Sequence, residues 1–256
     1  PAVSILGTTS GGSGSGTVYF KNQTKYEIDM ELLLRQPCPV ALGGEGVQVL
    51  IMHTHGTEAY TPTDAHPYQA SGEYRTTDKA CNMLAVGQRI TDLLNERGIS
   101  TVHSETLNDY PAYNGSYSRA LKDINAWLKE YPSIQLVIDV HRDAIGDEST
   151  VYKTCAAGSG MAQVMLVCGT DEYLEHPLWR ENLKLALAMQ AAAVSANGAL
   201  MRPIHLAPER YNQQYTTGSL IIEVGTNGNT LSEALAAAEL FGRAAGEMLA
   251  SLAAPG

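Results

Sequence analysis

Two histidines and a glutamate fall within six residues of this chain, in His53-Thr54-His55-Gly56-Thr57-Glu58. Another histidine opens His141-Arg142-Asp143, and an isolated acid, Glu223, interrupts the run Ser219–Val224 (SLIIEV). Imidazole nitrogens and carboxylate oxygens are the donors a catalytic zinc uses, three from the protein with a further position left for water. Bound in this way, water becomes a nucleophile near neutral pH, and a nearby carboxylate relays its proton. His55, Glu58 and His141 are therefore the expected metal ligands and Glu223 the expected catalytic base. His53 is an alternative ligand or a supporting partner, expected on the same face as His55 by strand alternation. Asp139 and Asp143 are candidates for orienting a histidine or for capping backbone. A lone His-x-x-Glu recurs by chance. The weight lies in three such interruptions, each at the end of an apolar run.

Those runs define the elements that must position the chemistry. Val47–Thr54 (VQVLIMHT), Ile134–His141 (IQLVIDVH), Ala162–Cys168 (AQVMLVC) and Ser219–Val224 read as strands buried on both faces, with a shorter strand over Thr101–Glu105. Helical patterns cover Tyr26–Arg35, Thr77–Arg97 (stopped by Gly98), Ser116–Glu130, Pro177–Asn197 and Thr230–Leu252, the last opened by a Thr230/Glu233 capping box. Strands alternating with helices imply an α/β domain whose mostly parallel central sheet carries helices on both faces. Ligands of such sheets bind outside the carboxyl ends of the strands. The interruptions in the first, second and last of these long runs should therefore meet at one edge. The folded core is expected to begin near Val47, in a catalytic domain spanning 18–256. Residues 1–17, Gly/Ser/Thr-rich over Gly7–Thr17, read as a flexible linker.

Composition excludes several other classes. The net charge of −10 comes with no Lys/Arg run, so no nucleic-acid partner is expected. No stretch of about 18 apolar residues offers a membrane span, and no signal-peptide pattern opens the chain. Pro1 in the first position fits a piece of a longer precursor, so an anchor elsewhere stays compatible with it. The four cysteines lack Cys-x-x-Cys spacing, which speaks against a cysteine zinc site; Cys155–Cys168 is the nearest pair for a disulfide, against free thiols. GxGxxG, Walker A and GxSxG sequences are missing. His66, His103, His176 and His205 lack strand-end context and read as surface or structural.

Several segments together resemble the stage II sporulation protein P family: Tyr19–Leu34 (YFKNQTKYEIDMELLL), His53–Tyr60 (HTHGTEAY), Ile138–Asp143 (IDVHRD), Arg210–Gln213 (RYNQ), and Leu220–Gly225 (LIIEVG) followed by Asn229-Thr230. The resemblance covers about residues 18–250 and is similar in pattern to zinc-dependent N-acetylmuramoyl-L-alanine amidases, with a phosphorylase/hydrolase-like sheet. It implies peptidoglycan as substrate, cleavage of the muramoyl-L-alanine amide and of peptide cross-links, and action during forespore engulfment. It also implies an extracytoplasmic, membrane-anchored full-length protein at the engulfing mother-cell membrane, with stage II sporulation protein D as partner. In the amidase pattern the glutamate ligand lies further downstream, which brings in Glu73 or Asp78 beside Glu58; zinc carboxypeptidases use His-x-x-Glu. For a peptidoglycan substrate, Arg142 and Arg210 become candidate carboxylate binders, with structural ion pairs as the alternative. Asn212 and Gln213 become candidate peptide or sugar contacts, or else they hold their loop. Rival functions are a zinc carboxypeptidase or endopeptidase, and a non-catalytic cell-wall-binding module.

Overall fold

Every long apolar run of the sequence becomes a strand of a single sheet. The computed structural model describes residues 7–8, 17–70, 73–145 and 150–252. In chain order the elements are β1 (Gly7–Thr8), β2 (Thr17–Val18), β3 (Phe20–Asn22), α1 (Met30–Arg35), β4 (Val49–Met52), α2 (Met83–Asn95), β5 (Thr101–His103), α3 (Ser116–Glu130), β6 (Leu136–Asp143), β7 (Val164–Gly169), α4 (Trp179–Ala196), β8 (Ile204–Ala207), a single 3-10 turn (Gln213–Tyr215), β9 (Gly218–Thr226) and α5 (Leu231–Ser251). The seven-stranded sheet has the order β3-β8-β7-β9-β6-β4-β5. All neighbours in it pair in parallel except β7 with β9. The sheet is thus mostly parallel but falls into two blocks of opposite direction. The carboxyl ends of β5, β4, β6 and β9 share one edge, and that of β7 points the other way.

Side-chain alternation divides the two faces. Val49, Ile51, Ile138, Val140, Leu220 and Ile222 face the main core with Met83, Ile90, Leu183, Leu187, Ala238 and Phe241 from α2, α4 and α5. Leu50, Met52 and Val137 point the opposite way, onto Ala120 and Ile124 of α3. Met165, Val167 and Ile221 form a smaller patch on that second face, covered by the ring of Tyr211. Among the described residues helices therefore flank both faces, the long helices α2, α4 and α5 with the short α1 on one side and α3 on the other. Among the described residues no helix is long and apolar enough to cross a membrane.

Several expected boundaries shift for local reasons. The helix expected from Thr77 begins at Met83, because Asn82 accepts from Leu84 N and caps it there. The short helix expected over Tyr26–Arg35 starts only at Met30, after the Asp29 cap. The core begins well before Val47: Val18, Phe20, Met30 and Leu33 belong to it. Strands β3 and β8 are too short to announce themselves by periodicity. The Cys155–Cys168 disulfide is not formed, Cys168 being buried in the main core and Cys155 exposed. The stretch expected to be a linker lies outside the described residues over 9–16, while its flanks Gly7–Thr8 and Thr17–Val18 pair as an antiparallel ladder.

α5 closes the main core against α2 and α4. Its capping box is formed, Thr230 accepting from Glu233 N and Glu233 from Thr230 N. Gly242 permits the close crossing, since a Cβ there would stand 2.7 Å from Leu93 Cδ1. Phe241→Ala should lower unfolding free energy by about 3–5 kcal/mol through the cavity left in the core. Thr230→Ala should cost only about 1 kcal/mol, the worth of a cap. Urea unfolding of the two variants beside the parent checks both magnitudes and their order.

Candidate metal and proton-transfer site

Strand register brings the separated motifs together. Met52 pairs with Asp139 across β4–β6, and His141 pairs with Glu223 across β6–β9. By alternation Asp139 and His141 lie on the same face as Val137, and Glu223 on the same face as Ile221. The site therefore sits on the second face, between the part covered by α3 and the patch under Tyr211. Glu223 is not at a strand end, since β9 continues to Thr226.

His55 reaches this face from the turn that follows β4. Asp139 fixes the turn: its Oδ1 accepts from Thr54 N at 2.7 Å and its Oδ2 from Thr54 Oγ1 at 2.6 Å. The same carboxylate stands 2.8 Å from His141 Nε2, although the nitrogen is out of line for a hydrogen bond and is otherwise unbonded. Asp139 thus caps backbone and touches a histidine at once. Further support comes from Asp109, which accepts from Thr57 N at 3.1 Å, and from Asn108, which donates to His53 O at 3.0 Å.

Around His55 the packing is aromatic. Tyr113 stacks on it at 4.6 Å with 9° between planes, and Tyr117 meets it edge-on at 5.6 Å. The ring of His141 approaches edge-on at 5.3 Å. Outside Tyr113 lies the Arg75 guanidinium, 4.8 Å from the ring centre, which also pairs with Asp109 at 3.0 Å and with Glu58 at 3.7 Å.

Glu58 is buried with its Oε2 3.5 Å from His141 Nδ1 and 3.2 Å from Arg142 N. Burial opposes its charge, but His141 and Arg142 hold its carboxyl below the usual range. Burial likewise opposes a charge on His141, yet Asp139 and Glu58 carry its pKa well above the ordinary histidine value. The spot between the two carboxylates therefore favours positive charge. Glu223 stands in the opposite situation. Burial pushes it up to about 8; His141 pulls it down, and Asp143 and Glu58 add to the rise. Its Oε2 is buried and unbonded.

These residues suit a zinc ion in chemistry. Two donors bound tetrahedrally at about 2.0–2.2 Å lie roughly 3.3–3.5 Å apart, and Glu58 Oε2 and His141 Nδ1 stand 3.5 Å apart. His55 Nδ1 is buried and unbonded in the same pocket. Among the described residues no three His, Cys, Asp or Glu side chains already converge as a finished metal site; His55 meets His141 by ring edges.

Other expected site residues lie elsewhere. His53 does not share a face with His55, because β4 ends at Met52 and the chain turns before His55. Its Nδ1 donates to Val140 O at 2.8 Å, and its Nε2 pairs with His103 Nε2 at 2.8 Å. Burial, then His103, lowers its pKa to about 3, so the ring is neutral and both nitrogens are engaged. The Glu73 side chain is 67% exposed and 3.7 Å from Arg75, outside the pocket. Arg142 points to the opposite face from His141 and is buried, with Nε donating to Ala59 O and Nη2 to Glu73 O. These bonds tie it to the 57–75 segment. Gln213 is spent on Gly169 N and Val167 O, and Asn212 on Tyr117 O. The loop they anchor presses on Gly169, where a Cβ would lie 2.3 Å from Glu209 O. Arg210 Nη1 donates to Glu175 O and borders an open groove. Asp143 pairs with Arg202 and Tyr152, away from the histidines. Tyr113, Tyr117, Arg75 and Asp109 were not anticipated; the signal was that β5 also opens its carboxyl end to this edge.

Comparison with known proteins follows the same lines. The family model "Stage II sporulation protein P (SpoIIP)" matches residues 17–245. Stage II sporulation protein P of Bacillus subtilis (strain 168) is 26% identical over 221 residues, covering 79% of this chain and 52% of that protein. The chain thus spans about half the length of that relative. Among solved structures, an N-acetylmuramoyl-L-alanine amidase from Clostridium difficile 630 is 14% identical, covering 82% of this chain and 95% of its own, with a TM-score of 0.47. The CwlD amidase from Clostridioides difficile, solved with the GerS lipoprotein, is 12% identical, covering 80% and 98%, also at 0.47.

Arg142 separates a structural role from a substrate-binding one. Arg142→Met should cost about 3–5 kcal/mol, because the carbonyls of Ala59 and Glu73 lose buried donors and buried Glu58 loses a neighbouring positive charge. Thermal unfolding checks this. A stable variant whose only defect is a raised KM would instead return Arg142 to the substrate.

Proposed function

The chain belongs to the stage II sporulation protein P family, and from that premise and the site geometry we propose that it is a zinc-dependent peptidoglycan hydrolase cutting the amide between the muramic lactyl group and L-alanine. The observation that carries this reading is the pairing of His141 with Glu223 across β6–β9, which sets a buried, unbonded carboxylate oxygen beside the His55, Glu58 and His141 donors. In this reading those three residues hold zinc. When bound, the metal polarises the scissile carbonyl and supplies a water that is acidic near neutral pH.

The remaining chemistry falls to the protein's own groups. Glu223 takes the proton of the attacking water and hands it to the nitrogen of the departing L-alanine, so that a free amine leaves and a carboxylate stays on the sugar. Burial raises the proton affinity of this carboxyl, which suits holding the proton, while His141, and a cation bound beside it, favour the ionised form that must take it up. Asp139 keeps His141 and the Thr54 turn in register. Tyr113 and Tyr117 confine the His55 ring. Action outside the cytoplasm, anchoring in the full-length protein, cleavage of cross-links, and partnership with stage II sporulation protein D extend the same proposal.

Incubation with peptidoglycan should release stem peptides carrying an L-alanine amino terminus, identified by mass spectrometry. Chelation should abolish release and added zinc restore it. Glu223→Gln should lower turnover about 10²–10⁴-fold, the usual worth of a general acid–base, with zinc content unchanged by metal analysis. Undiminished turnover in Glu223→Gln would remove Glu223 from the mechanism. Release that survives chelation would remove the metal. Cleavage confined to bonds within the stem peptide would favour a peptidase instead.

A further inference from the structure

Beside the site on the second face runs a groove of about 330 Å³ that the chemistry above does not use. Tyr117, Tyr173, Leu174 and the 209–212 segment, Glu209 and Arg210 included, line it. Tyr117 joins it to the site, since its ring meets His55 at 5.6 Å and Tyr211 at 6.1 Å, tilted by 38°. Tyr211 rests on Met165, Val167 and Ile221, and Ile221 is the same-face neighbour of Glu223 along β9. The groove therefore leads directly to the reacting groups.

Its walls are held at some cost. Tyr211 and Asn212 are consecutive non-glycine residues in the left-handed region, at φ 48° and 58°, a conformation that side chains disfavour and that persists only where the surroundings enforce it. The Asn212 bond to Tyr117 O, the Gln213 bonds to β7 and the Arg210 bond to Glu175 O provide that enforcement. Opposite them Tyr173 and Leu174 remain 65% and 58% exposed.

Resting on the hydrolase reading, we propose that this groove binds the glycan side of the substrate, seating a pyranose ring of the strand against the tyrosine faces. Tyrosine offers a broad, rigid, amphipathic surface at little entropic cost, and a pocket of this size suits about one or two sugar rings. A pyranose ring is neutral, with an apolar C–H face and a hydroxyl rim. The stem peptide carries carboxylates, whereas the groove's guanidinium, Arg210, is engaged with a backbone carbonyl and the Glu209 carboxylate lines the same wall, so a neutral ring suits it better. The sugar accordingly leaves the scissile amide past Tyr117.

Nuclear magnetic resonance titration of the labelled chain tests this with two probes: peptide-free strands of alternating N-acetylglucosamine and N-acetylmuramic acid, and the free stem peptide. The glycan should bind saturably and shift the amides of residues 173–174 and 210–212. The double variant Tyr173→Ala/Leu174→Ala, altered only at exposed positions, should bind glycan about tenfold more weakly, the scale of lost aromatic contact, with stem-peptide binding unchanged. Glycan that fails to bind the parent, equal glycan binding by the variant, or a loss confined to the stem peptide would each overturn the assignment. No turnover is needed, so the two readings fail separately. A chain that binds glycan through these residues but releases no stem peptide keeps the groove and loses the amidase reading. One that releases stem peptide with glycan binding untouched in the variant does the reverse.

Discussion

A single buried carboxylate ties the candidate site together. Asp139 lies in the interior of β6, where burial disfavours its charge, yet its carboxyl is held below the ordinary range by His141 and by two hydrogen bonds from Thr54. An ionised group in such a place is tolerated only when its partners are fixed. Those partners belong to different parts of the chain, one in the turn after β4 and one two residues further along β6. Satisfying Asp139 therefore sets the turn that carries His55 and Glu58 against the strand that carries His141. Glu58 closes the circle, approaching His141 from its other ring nitrogen and accepting from Arg142 N.

The layering of the domain explains why such a site is accessible. Among the described residues, three long helices bury one face of the sheet, whereas the opposite face carries α3 and, beyond it, loop segments. Strand alternation sends Asp139, His141 and Glu223 to this thinly covered face. Arg142, one residue out of phase, goes to the other side and serves the 57–75 segment. The antiparallel junction between β7 and β9 adds a second effect. Because β7 runs against β9, the segments after β7 and β8 lie away from the edge where β4 and β6 end, and the 209–213 loop returns across Gly169 to bring Tyr211 over Ile221.

The sequence carried much of this, and the boundary of its reach has physical causes. Continuous apolar runs identify β4, β6, β7 and β9 because strands buried on both sides leave few other options, and polar interruptions in such runs stand out. The candidates His55, Glu58, His141 and Glu223 stand out for that reason. His53 illustrates the limit. Period-two alternation holds only while the strand lasts, and the turn at Thr54 separates two histidines that alternation would place together. Arg142, Asn212 and Gln213 look like binding groups on paper because polar side chains near a site cannot be told from polar side chains that anchor backbone. The positions of Ala59, Glu73, Tyr117, Val167 and Gly169 show which backbone groups these side chains hold. Short edge strands such as β3 and β8 lack the length for any pattern.

The division of labour between Glu58 and Glu223 follows from their surroundings. Both carboxylates are close to His141, and burial opposes the charge of each. Glu58 is met by Arg142 N, by His141 and, at longer range, by Arg75, and so stays ionised and fixed in place. Those are the properties of a ligand, which must present lone pairs at all times. Glu223 has a buried oxygen without a partner, and Asp143 and Glu58 add to its burden, so its proton affinity rises into the range where gain and loss are both easy. Two acids whose environments drive them apart in this way take different roles in proton transfer. Exchanging the roles would require Glu58 to give up the contacts that hold the turn after β4, and with them the position of His55. The fold thus leaves Glu223 freer than Glu58 to exchange a proton, because Glu58 is held by the contacts that stabilise the turn.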